Sequence, residues 1–269
     1  MNPAKMASLF SFWHGKLTWM ERTCLGSMVH MGHDVTLFTY APDTLKDLLR
    51  GVRVENADAI LALDAEADRI LRVNPQVIAD AFRYRALKEQ VGTWIDTDML
   101  LVKPVEQAHR LFCRENSSRR TIAISILRFP IDDPLLEDLL VFTSRRPVIA
   151  PWWTGRRALR HKFWAAAGRP IEPEHCQWGT FGPKAMTHFA DAHGCSNEAL
   201  VYSAYHPVPL ENAVDLITPG VDIQRFVGHE TVGIHLWASR LRKTLGEAAP
   251  PDGSFLAAQR GAFDRSRTT

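Results

Sequence analysis

The residues of this sequence with the clearest chemical potential are two aspartates, Asp96 and Asp98, separated by one threonine in the segment W-I-D-T-D. Residues two apart in an extended strand share a face, so we expect both carboxylates to point the same way. Carboxylates this close raise each other's pKa unless a cation lies between them. The pair therefore favours a hard divalent cation with a diphosphate, and a turn with two solvated acids is the alternative.

A helix is predicted directly before this strand. Asn74 and Pro75 provide an N-cap and a first helical residue, and apolar residues then recur at helical spacing until Gly92, where we expect the helix to end. The apolar stripe consists of Val77, Ala81, Tyr84, Leu87 and Val91. Asp80 lies within that stripe, and burying an unpaired charge is costly. It must therefore face a cleft or find a partner, for which Arg83 is the candidate.

The segment from Asp80 to Pro104 resembles the sugar-binding region of retaining glycosyltransferases. The likeness consists of a D-x-x-R-Y helix, a G-x-W-I-D-T-D-M strand and a Lys-Pro exit. It points to the family of yeast initiating mannosyltransferases, lactosylceramide galactosyltransferase and clostridial glucosylating toxins. This chain departs from the family where two glycines usually precede the strand, because it has Val91-Gly92-Thr93 there.

The resemblance implies a GT-A fold that binds a nucleotide-sugar through a divalent metal. It makes Asp80, Arg83 and Tyr84 contacts to the donor sugar, and it makes Asp96 and Asp98 ligands of the ribose, the sugar and the metal. Arg83, Asp96 and Asp98 are then the residues expected to support catalysis. The family needs no carboxylate nucleophile, so none is assigned.

The N-terminal region predicts a βαβ unit. The run M-A-S-L-F-S-F-W predicts a buried strand that ends at Trp13-His14-Gly15. A helix follows, with a capping box of Thr18 and Glu21 and an end at Gly32, and Asp34 to Tyr40 predicts a second strand. Two strands joined by a helix indicate a parallel sheet with a right-handed crossover.

Trp13 and Gly15 are expected at the ligand cleft, because ligands in α/β sheets bind beyond the carboxyl ends of the strands. Trp13 could stack on a nucleotide base, and a buried core tryptophan is the alternative. The family has a W-x-G at the same place, which favours stacking. Beyond this unit, Asp43 to Arg50 predicts a short helix and Val52 to Val54 a short strand.

Further elements are predicted after the Asp96–Asp98 segment. We expect a helix from Val105 to Phe112, a strand from Arg120 to Leu127, and a helix from Pro134 to Phe142 that Asp132 and Asp133 cap. The stretch Pro151 to Trp164 combines tryptophans with arginines and a lysine. It either covers the acceptor side of the cleft or forms a surface helix, and it leaves a peripheral membrane contact open.

Three motifs in the C-terminal half extend the resemblance. Gly182-Pro183 predicts a helix start whose amides suit a phosphate or sugar hydroxyl, and Tyr205 to Pro209 matches an aromatic-x-Pro segment of the family. Thr231 to Trp237 predicts the last strand, with His235 and Trp237 on one face. A structural histidine is the alternative, but the family's H-x-W motif makes His235 a metal ligand and Trp237 a donor contact. An imidazole ligand favours Mn²⁺ over Mg²⁺.

The composition sets broader limits. With 269 residues, of which 46% are hydrophobic, the chain can bury one sizeable core. A net charge of +2 does not indicate a nucleic-acid-binding protein. The four cysteines show no C-x-x-C spacing, so we expect reduced thiols in a cytoplasmic protein. Neither a signal peptide nor an apolar run of membrane-spanning length is evident.

Together these features predict an α/β, GT-A-like domain over residues 1–246, with a Rossmann-type mixed, mainly parallel sheet flanked by helices, and a loosely held tail over residues 247–269. The predicted activity is the transfer of a hexose from a UDP- or GDP-sugar to a glycan, glycolipid or protein acceptor, with retention of configuration. It is expected to depend on Mn²⁺ or Mg²⁺ and to take place in the cytoplasm or at the inner face of the membrane. Two alternatives are a phosphohydrolase of the haloacid dehalogenase type and a non-catalytic sugar-binding protein on a transferase fold.

Overall fold

A computed structural model describes residues 6–45, 50–117 and 120–265. The helices are α1 (Trp19–His30), α2 (Ala65–Val73), α3 (Pro75–Lys88), α4 (Pro134–Ser144), α5 (Gly155–Ala166), α6 (Pro183–Ala192), α7 (Ala238–Leu245) and α8 (Phe255–Arg265). The strands are β1 (Leu9–Phe12), β2 (Val35–Thr39), β3 (Val52–Asn56), β4 (Thr93–Ile95), β5 (Met99–Leu101), β6 (Ile126–Leu127) and β7 (Gly233–His235). None of these helices has both the length and the apolar character that crossing a bilayer requires.

The main sheet has the strand order β3-β2-β1-β4-β6. Strands β1 to β4 run parallel, with Leu9 paired to both Val35 and Thr93, whereas β6 pairs antiparallel to β4. Every residue of β1 and β2 is buried, as parallel strands between helices require. The predicted α/β class with a mixed, mainly parallel sheet flanked by helices is confirmed.

A second, two-stranded sheet lies beside the main one. Strands β5 and β7 pair antiparallel, which sets Met99 opposite His235. The chain reaches this sheet through the turn Asp96-Thr97-Asp98, closed by the Met99 N–H donating to the Asp96 carbonyl at 3.1 Å. The prediction of one extended strand from Trp94 to Asp98 was wrong, because β4 ends at Ile95. Aspartate and threonine favour turns by bonding nearby backbone groups.

Several local signals are confirmed. Thr18 and Glu21 form the capping box of α1. The Asp133 carboxylate caps α4 by accepting from the Leu135 N–H at 3.0 Å, and α6 begins at Pro183, directly after Gly182. Each of these signals depends only on residues within one turn of the chain, which is why the sequence shows them.

Gly92 has a different role from the predicted one. Helix α3 starts at Pro75 as expected but ends at Lys88, four residues before Gly92. The Thr93 N–H donates to the Ser8 carbonyl at 2.8 Å, and a Cβ on Gly92 would lie 2.6 Å from that same oxygen. Glycine is therefore required because β4 starts in close backbone contact with the segment before β1.

The predictions for residues 105–127 were largely wrong. Residues 105–112 form no helix, and Leu111 instead makes an isolated bridge with Arg128. Of the strand predicted from Arg120 to Leu127, only β6 is regular. The last strand is likewise shorter than predicted, because β7 ends at His235. These segments are held by contacts distant in sequence, which periodicity does not reveal.

The remaining differences lie in the segment between β2 and β3 and in the C-terminal segment. Strand β3 is confirmed, whereas the helix predicted from Asp43 to Arg50 lies partly outside the described residues and its described part holds only a 3₁₀ turn, Pro42–Thr44. The segment predicted as a loose tail contains α8. Leu256 of α8 is buried with Met20 of α1, and the Trp19 indole donates to the Ala248 carbonyl at 2.8 Å. The described part of this segment therefore packs on the domain.

Candidate functional site

A cavity of about 450 Å³ opens at the carboxyl ends of β1 and β4. Trp13 and His14 follow β1, and Asp96 to Asp98 follow β4, so the two central strands deliver these residues to one place. The opposite wall comes from the end of β7 and from α7. This is the position at which open α/β sheets bind ligands, and it agrees with the expectation for Trp13.

Asp96, Asp98 and His235 converge on the wall of this cavity. One ligand atom from each residue lies within 4.8 Å of the others. The pairing of Met99 with His235 brings the imidazole beside the Asp96–Asp98 turn, with His235 Nε2 at 3.4 Å from Asp98 Oδ1. His235 Nδ1 is buried and has no hydrogen-bond partner among the described residues. The geometry brings together the two acids and the histidine that the sequence singled out.

The two carboxylates have opposite electrostatic environments. Burial raises the pKa of Asp96, and the Arg83 guanidinium offsets this only in part. Burial also raises the pKa of Asp98, but the facing His235 and the Ala238 N–H, which donates to Asp98 Oδ2 at 3.0 Å, lower that pKa well below its ordinary value. Ala238 is the first residue of α7, whose N-terminal end favours a negative charge. Asp98 is therefore held as a carboxylate.

Asp98 in turn changes the charge state of His235. Burial lowers the pKa of His235, but the Asp98 carboxylate and its hydrogen bond outweigh burial, so the pKa of His235 is raised. The raised pKa favours a protonated His235. An imidazole must be neutral to ligate a metal, so a cation bound between the two acids would take the place of the His235 proton as the source of positive charge.

Behind this cluster, Arg83 joins the buried carboxylate of Asp80 to the partly buried carboxylate of Asp96. Arg83 Nη2 lies 3.5 Å from Asp80 Oδ1 and 3.4 Å from Asp96 Oδ1, and Nη1 donates to the Ile124 carbonyl at 3.0 Å. Its guanidinium also lies 4.4 Å from the centre of the Trp94 ring. Arg83 is thus the partner of Asp80 that the helical spacing suggested.

Asp80 remains incompletely paired. Its side chain is only about 3% exposed, and Oδ1 accepts no hydrogen bond among the described residues. Burial raises the pKa of Asp80 to about 7, with Arg83 opposing the effect. Asp80 borders a small pocket that shares Gln76 and Trp178 with the main cavity. The carboxyl is therefore close to the cavity without lining it.

Trp13 is half-buried, packs against the core on one side and lines the cavity. Its indole N–H donates to the Gly15 carbonyl at 3.0 Å across a turn in which Gly15 has φ +97°, a conformation that favours glycine. The Arg242 guanidinium lies 5.7 Å from the ring centre on one side. Arg242 is itself paired with Glu21, which also accepts from the Thr18 N–H at 2.8 Å. Glu21, which caps α1, thus helps to hold the Arg242 guanidinium beside Trp13.

Trp237 lines the cavity from a strained backbone position. It does not lie on the strand face predicted for it, because β7 ends at His235 and Trp237 adopts left-handed angles of φ 55° and ψ 50°. Its indole N–H donates to the Val208 carbonyl at 2.8 Å, and its ring stands edge-on to His235 at 4.5 Å between centres. An aromatic residue rarely adopts this conformation, which costs about 1–3 kcal/mol.

Three other predicted donor contacts are not among the residues that line the main cavity. Gly15 forms the turn described above. Tyr84 is fully buried, and its hydroxyl donates to the Phe181 carbonyl at 3.0 Å. Gly182 packs against Asp80, because a Cβ there would lie 3.2 Å from Asp80 Oδ2 and 2.6 Å from the Ile124 side chain. Tyr84 and Gly182 contribute to the walls that surround the Asp80–Arg83 pair.

Trp178 and His206 are among the cavity residues that the sequence did not single out. Trp178 is 64% exposed and lies at the corner of a turn closed by the Thr180 N–H and the Gln177 carbonyl at 3.1 Å, with Gly179 at φ +74°. The Q-W-G-T tetrapeptide was a usable signal for this turn. His206 is buried with Nε2 at 3.0 Å from Ser125 Oγ, and burial followed by the nearby His235 lowers its pKa well below the ordinary value. Nothing in its local sequence shows that contact.

No protein-family model matches the chain, and no curated protein matches it. Among solved structures, the chain is distantly similar to one described as "PaToxG Glycosyltransferase". The two are 9% identical with a TM-score of 0.41, and the similarity covers 71% of this chain and 70% of that chain. At this distance the function of the chain has to be inferred from its own cavity.

Proposed function

We propose that this chain is a metal-dependent glycosyltransferase that moves a hexose from a nucleotide-sugar to a hydroxyl group of an acceptor. The observation that carries the proposal is the convergence of Asp96, Asp98 and His235 within 4.8 Å on the wall of a cavity of about 450 Å³. A volume of this size is typical of small-molecule sites. Trp13 would contact the base, the acid–histidine cluster would serve the diphosphate, and Arg83 with Asp80 would face the sugar.

The donor set fits a hard divalent cation. Two carboxylates and one imidazole suit Mn²⁺ and, less well, Mg²⁺. The unpartnered Nδ1 of His235 and the carboxylate form of Asp98 are both consistent with ligation. A cation held by these residues would offset the negative charge that develops on a diphosphate leaving group.

The proposed reaction exchanges one bond to the anomeric carbon. The acceptor oxygen forms a bond to that carbon while the bond to the diphosphate oxygen breaks, and the diphosphate keeps the bonding pair. The acceptor proton passes to the leaving phosphate oxygen. Retention of configuration follows from the family resemblance, which implies attack from the face of the leaving group.

The chain's own residues would orient the donor for this step. Arg83 is held by the Ile124 carbonyl and two carboxylates, so it fixes Asp96 while remaining beside Asp80. The unsatisfied Asp80 oxygen borders the small pocket that adjoins the cavity at Gln76 and Trp178, and a sugar hydroxyl that entered this pocket would supply the missing hydrogen bond. The Trp94 indole N–H donates to Asp96 Oδ1 at 2.8 Å and leaves the other oxygen for a ligand.

The alternative of a haloacid dehalogenase-type phosphohydrolase receives no support from the cavity. That chemistry needs a lysine beside the aspartates, and no lysine is among the described residues that line it. The acidic pair Asp132-Asp133 does not supply the missing acids either, since Asp133 caps α4 and pairs with Arg110 at 2.6 Å.

The test is a screen of UDP- and GDP-hexoses for nucleotide release with Mn²⁺. We expect one donor class to be hydrolysed, with activity lost on chelation and in Asp98→Asn, and retained in the control Asp132→Asn, which changes an exposed aspartate. Calorimetry of Mn²⁺ and the nucleotide completes the experiment. Binding without turnover, even with acceptors supplied, would indicate the non-catalytic sugar-binding alternative. Absence of nucleotide binding would reject the proposal.

A further inference from the structure

Helix α5 exposes three large apolar side chains to solvent. Leu159 is 67% exposed, Phe163 is 65% exposed and Trp164 is 42% exposed, and no residue of the helix is fully buried. Leu159 and Phe163 are four residues apart and therefore neighbours on one face. The helix contacts the domain through its other side, where Ala158 packs against the core. A cluster of apolar side chains exposed on a helix indicates an interaction surface.

The same face is strongly basic. Arg156 and Arg160 are exposed and lie one turn before Leu159 and Phe163 respectively, and Lys162 flanks the apolar pair on the other side. Among the described residues, none of these three cations makes an ion pair. Exposed cations without partners are available to an anionic surface.

The basic character extends beyond the helix. Residues 139–171 contain seven Arg and Lys and no Asp or Glu. The whole chain has 32 Lys and Arg and 30 Asp and Glu. Outside residues 139–171 the chain therefore has 25 Lys and Arg and 30 Asp and Glu, and this part is net acidic. The positive charge of the protein is therefore concentrated in the segment that contains α5.

We propose that α5 lies in the interface of an anionic lipid bilayer, with Leu159 and Phe163 inserted among the acyl chains and Arg156, Arg160 and Lys162 at the lipid phosphates. Helices that combine apolar and cationic side chains in this way bind membrane surfaces. A second copy of the chain does not fit, because a two-fold contact would bring the same cations together. A nucleic acid would pair with the cations but would leave the aliphatic side chain of Leu159 without an apolar environment. This inference does not depend on the proposed enzymatic function.

The proposal is tested with the full chain and vesicles of phosphatidylcholine, with and without phosphatidylglycerol, by co-sedimentation. We expect binding only to the anionic vesicles, and binding that weakens as salt is added. The double variant Arg156→Gln/Arg160→Gln should lower the partition coefficient on the order of 20-fold, because each surface cation contributes roughly fivefold. Leu159→Ser/Phe163→Ser should lower it at least about tenfold by removing the inserted area.

Matched controls lie on α2, where Arg72→Gln and Val73→Ser change an exposed cation and an exposed apolar residue away from the basic segment. Both should bind vesicles like the unaltered chain, and all variants should keep its unfolding temperature. The proposal is rejected if the chain ignores anionic vesicles, if the α2 variants lose as much binding as the α5 variants, or if duplex DNA competes fully for the same residues. Self-association that is lost only in the α5 variants would assign the face to a second copy instead.

Discussion

Replacing Asp80 with asparagine should make the protein more stable at alkaline pH and weaken its binding of the donor. Asp80 is nearly fully buried, and among the described residues its cationic contact is Arg83 Nη2 at 3.5 Å. Asparagine has the same shape without the charge, so the pocket formed by Gly182 and Ile124 need not change. Arg83 retains Asp96 as a partner at 3.4 Å. The substitution therefore removes a buried charge without leaving the guanidinium alone.

The size of the effect follows from the pKa of Asp80, which burial raises from 3.8 to about 7. A carboxyl whose folded pKa is raised contributes stability that is fully present below the unfolded pKa and is lost as pH rises through the folded pKa. A difference of this size corresponds to roughly 4 kcal/mol at full ionisation. Because that pKa already includes the attraction of Arg83, we expect Asp80→Asn to gain about 3–4 kcal/mol at pH 8 and nothing near pH 4.

Urea unfolding at a series of pH values between 4 and 8 measures this directly. The difference between Asp80→Asn and the unaltered chain cancels the titrating groups distant from Asp80, and Asp132→Asn, at an exposed position, should show no pH-dependent difference. Nucleotide-sugar binding should weaken in Asp80→Asn at pH 8, where Asp80 is a carboxylate. A variant that is less stable at pH 8 than at pH 4, relative to the unaltered chain, would refute the view that Asp80 is an incompletely paired charge.

Three further predictions concern the cavity and its scaffold. Trp13→Ala should weaken UDP or GDP binding in calorimetry by about 1–3 kcal/mol, the scale of a lost base stack, and an unfolded variant would instead make Trp13 a core residue. Asp98→Asn and Asp96→Asn should both abolish Mn²⁺ binding in calorimetry. Only Asp98→Asn should lower the unfolding temperature without metal, because the fold lowers the pKa of Asp98 and raises that of Asp96. An equal fall in unfolding temperature in both variants would contradict this. Burial lowers the pKa of His33. Its Nδ1 lies 2.8 Å from the Ala7 carbonyl oxygen, and its Nε2 accepts from the Val105 N–H at 3.0 Å. His33→Ala should therefore lower the free energy of unfolding in urea by about 1–3 kcal/mol at pH 7.5. The loss in unfolding free energy caused by His33→Ala should shrink as pH falls below 6.5. A loss that grows at lower pH would exclude a neutral His33.

The parts of the fold that the sequence predicted are those set by local chemistry. The capping box of α1, the Asp133 cap of α4 and the Pro183 start of α6 each depend on residues within one turn of helix. The βαβ order then fixes a parallel sheet, and the sheet determines which strand ends meet at the cavity. Asp96 and Trp13 could be assigned to one site on this basis.

The parts that the sequence did not predict depend on distant contacts. In the segment 105–127, the Arg114 guanidinium donates to the Ser196 carbonyl at 3.0 Å and the Ile122 N–H donates to the Thr187 hydroxyl at 2.9 Å. Partners more than sixty residues away leave no periodic signal. Gly92 shows the same limit, because a glycine after a helical pattern indicates a helix end, whereas here the Ser8 carbonyl is what excludes a side chain.

The cavity is also where the chain departs most from the rules that stabilise its fold. Of the five buried side-chain polar atoms without a hydrogen-bond partner among the described residues, three belong to Asp80, Arg83 and His235. Trp237, one of two non-glycine residues described with positive φ, lies against the same cluster. Unsatisfied polar atoms and backbone strain each reduce stability, so their concentration at one place requires a compensating contribution. A ligand that carries both hydroxyl groups and a bound cation would supply it, because hydroxyls can donate to Asp80 and a cation can accept the His235 lone pair.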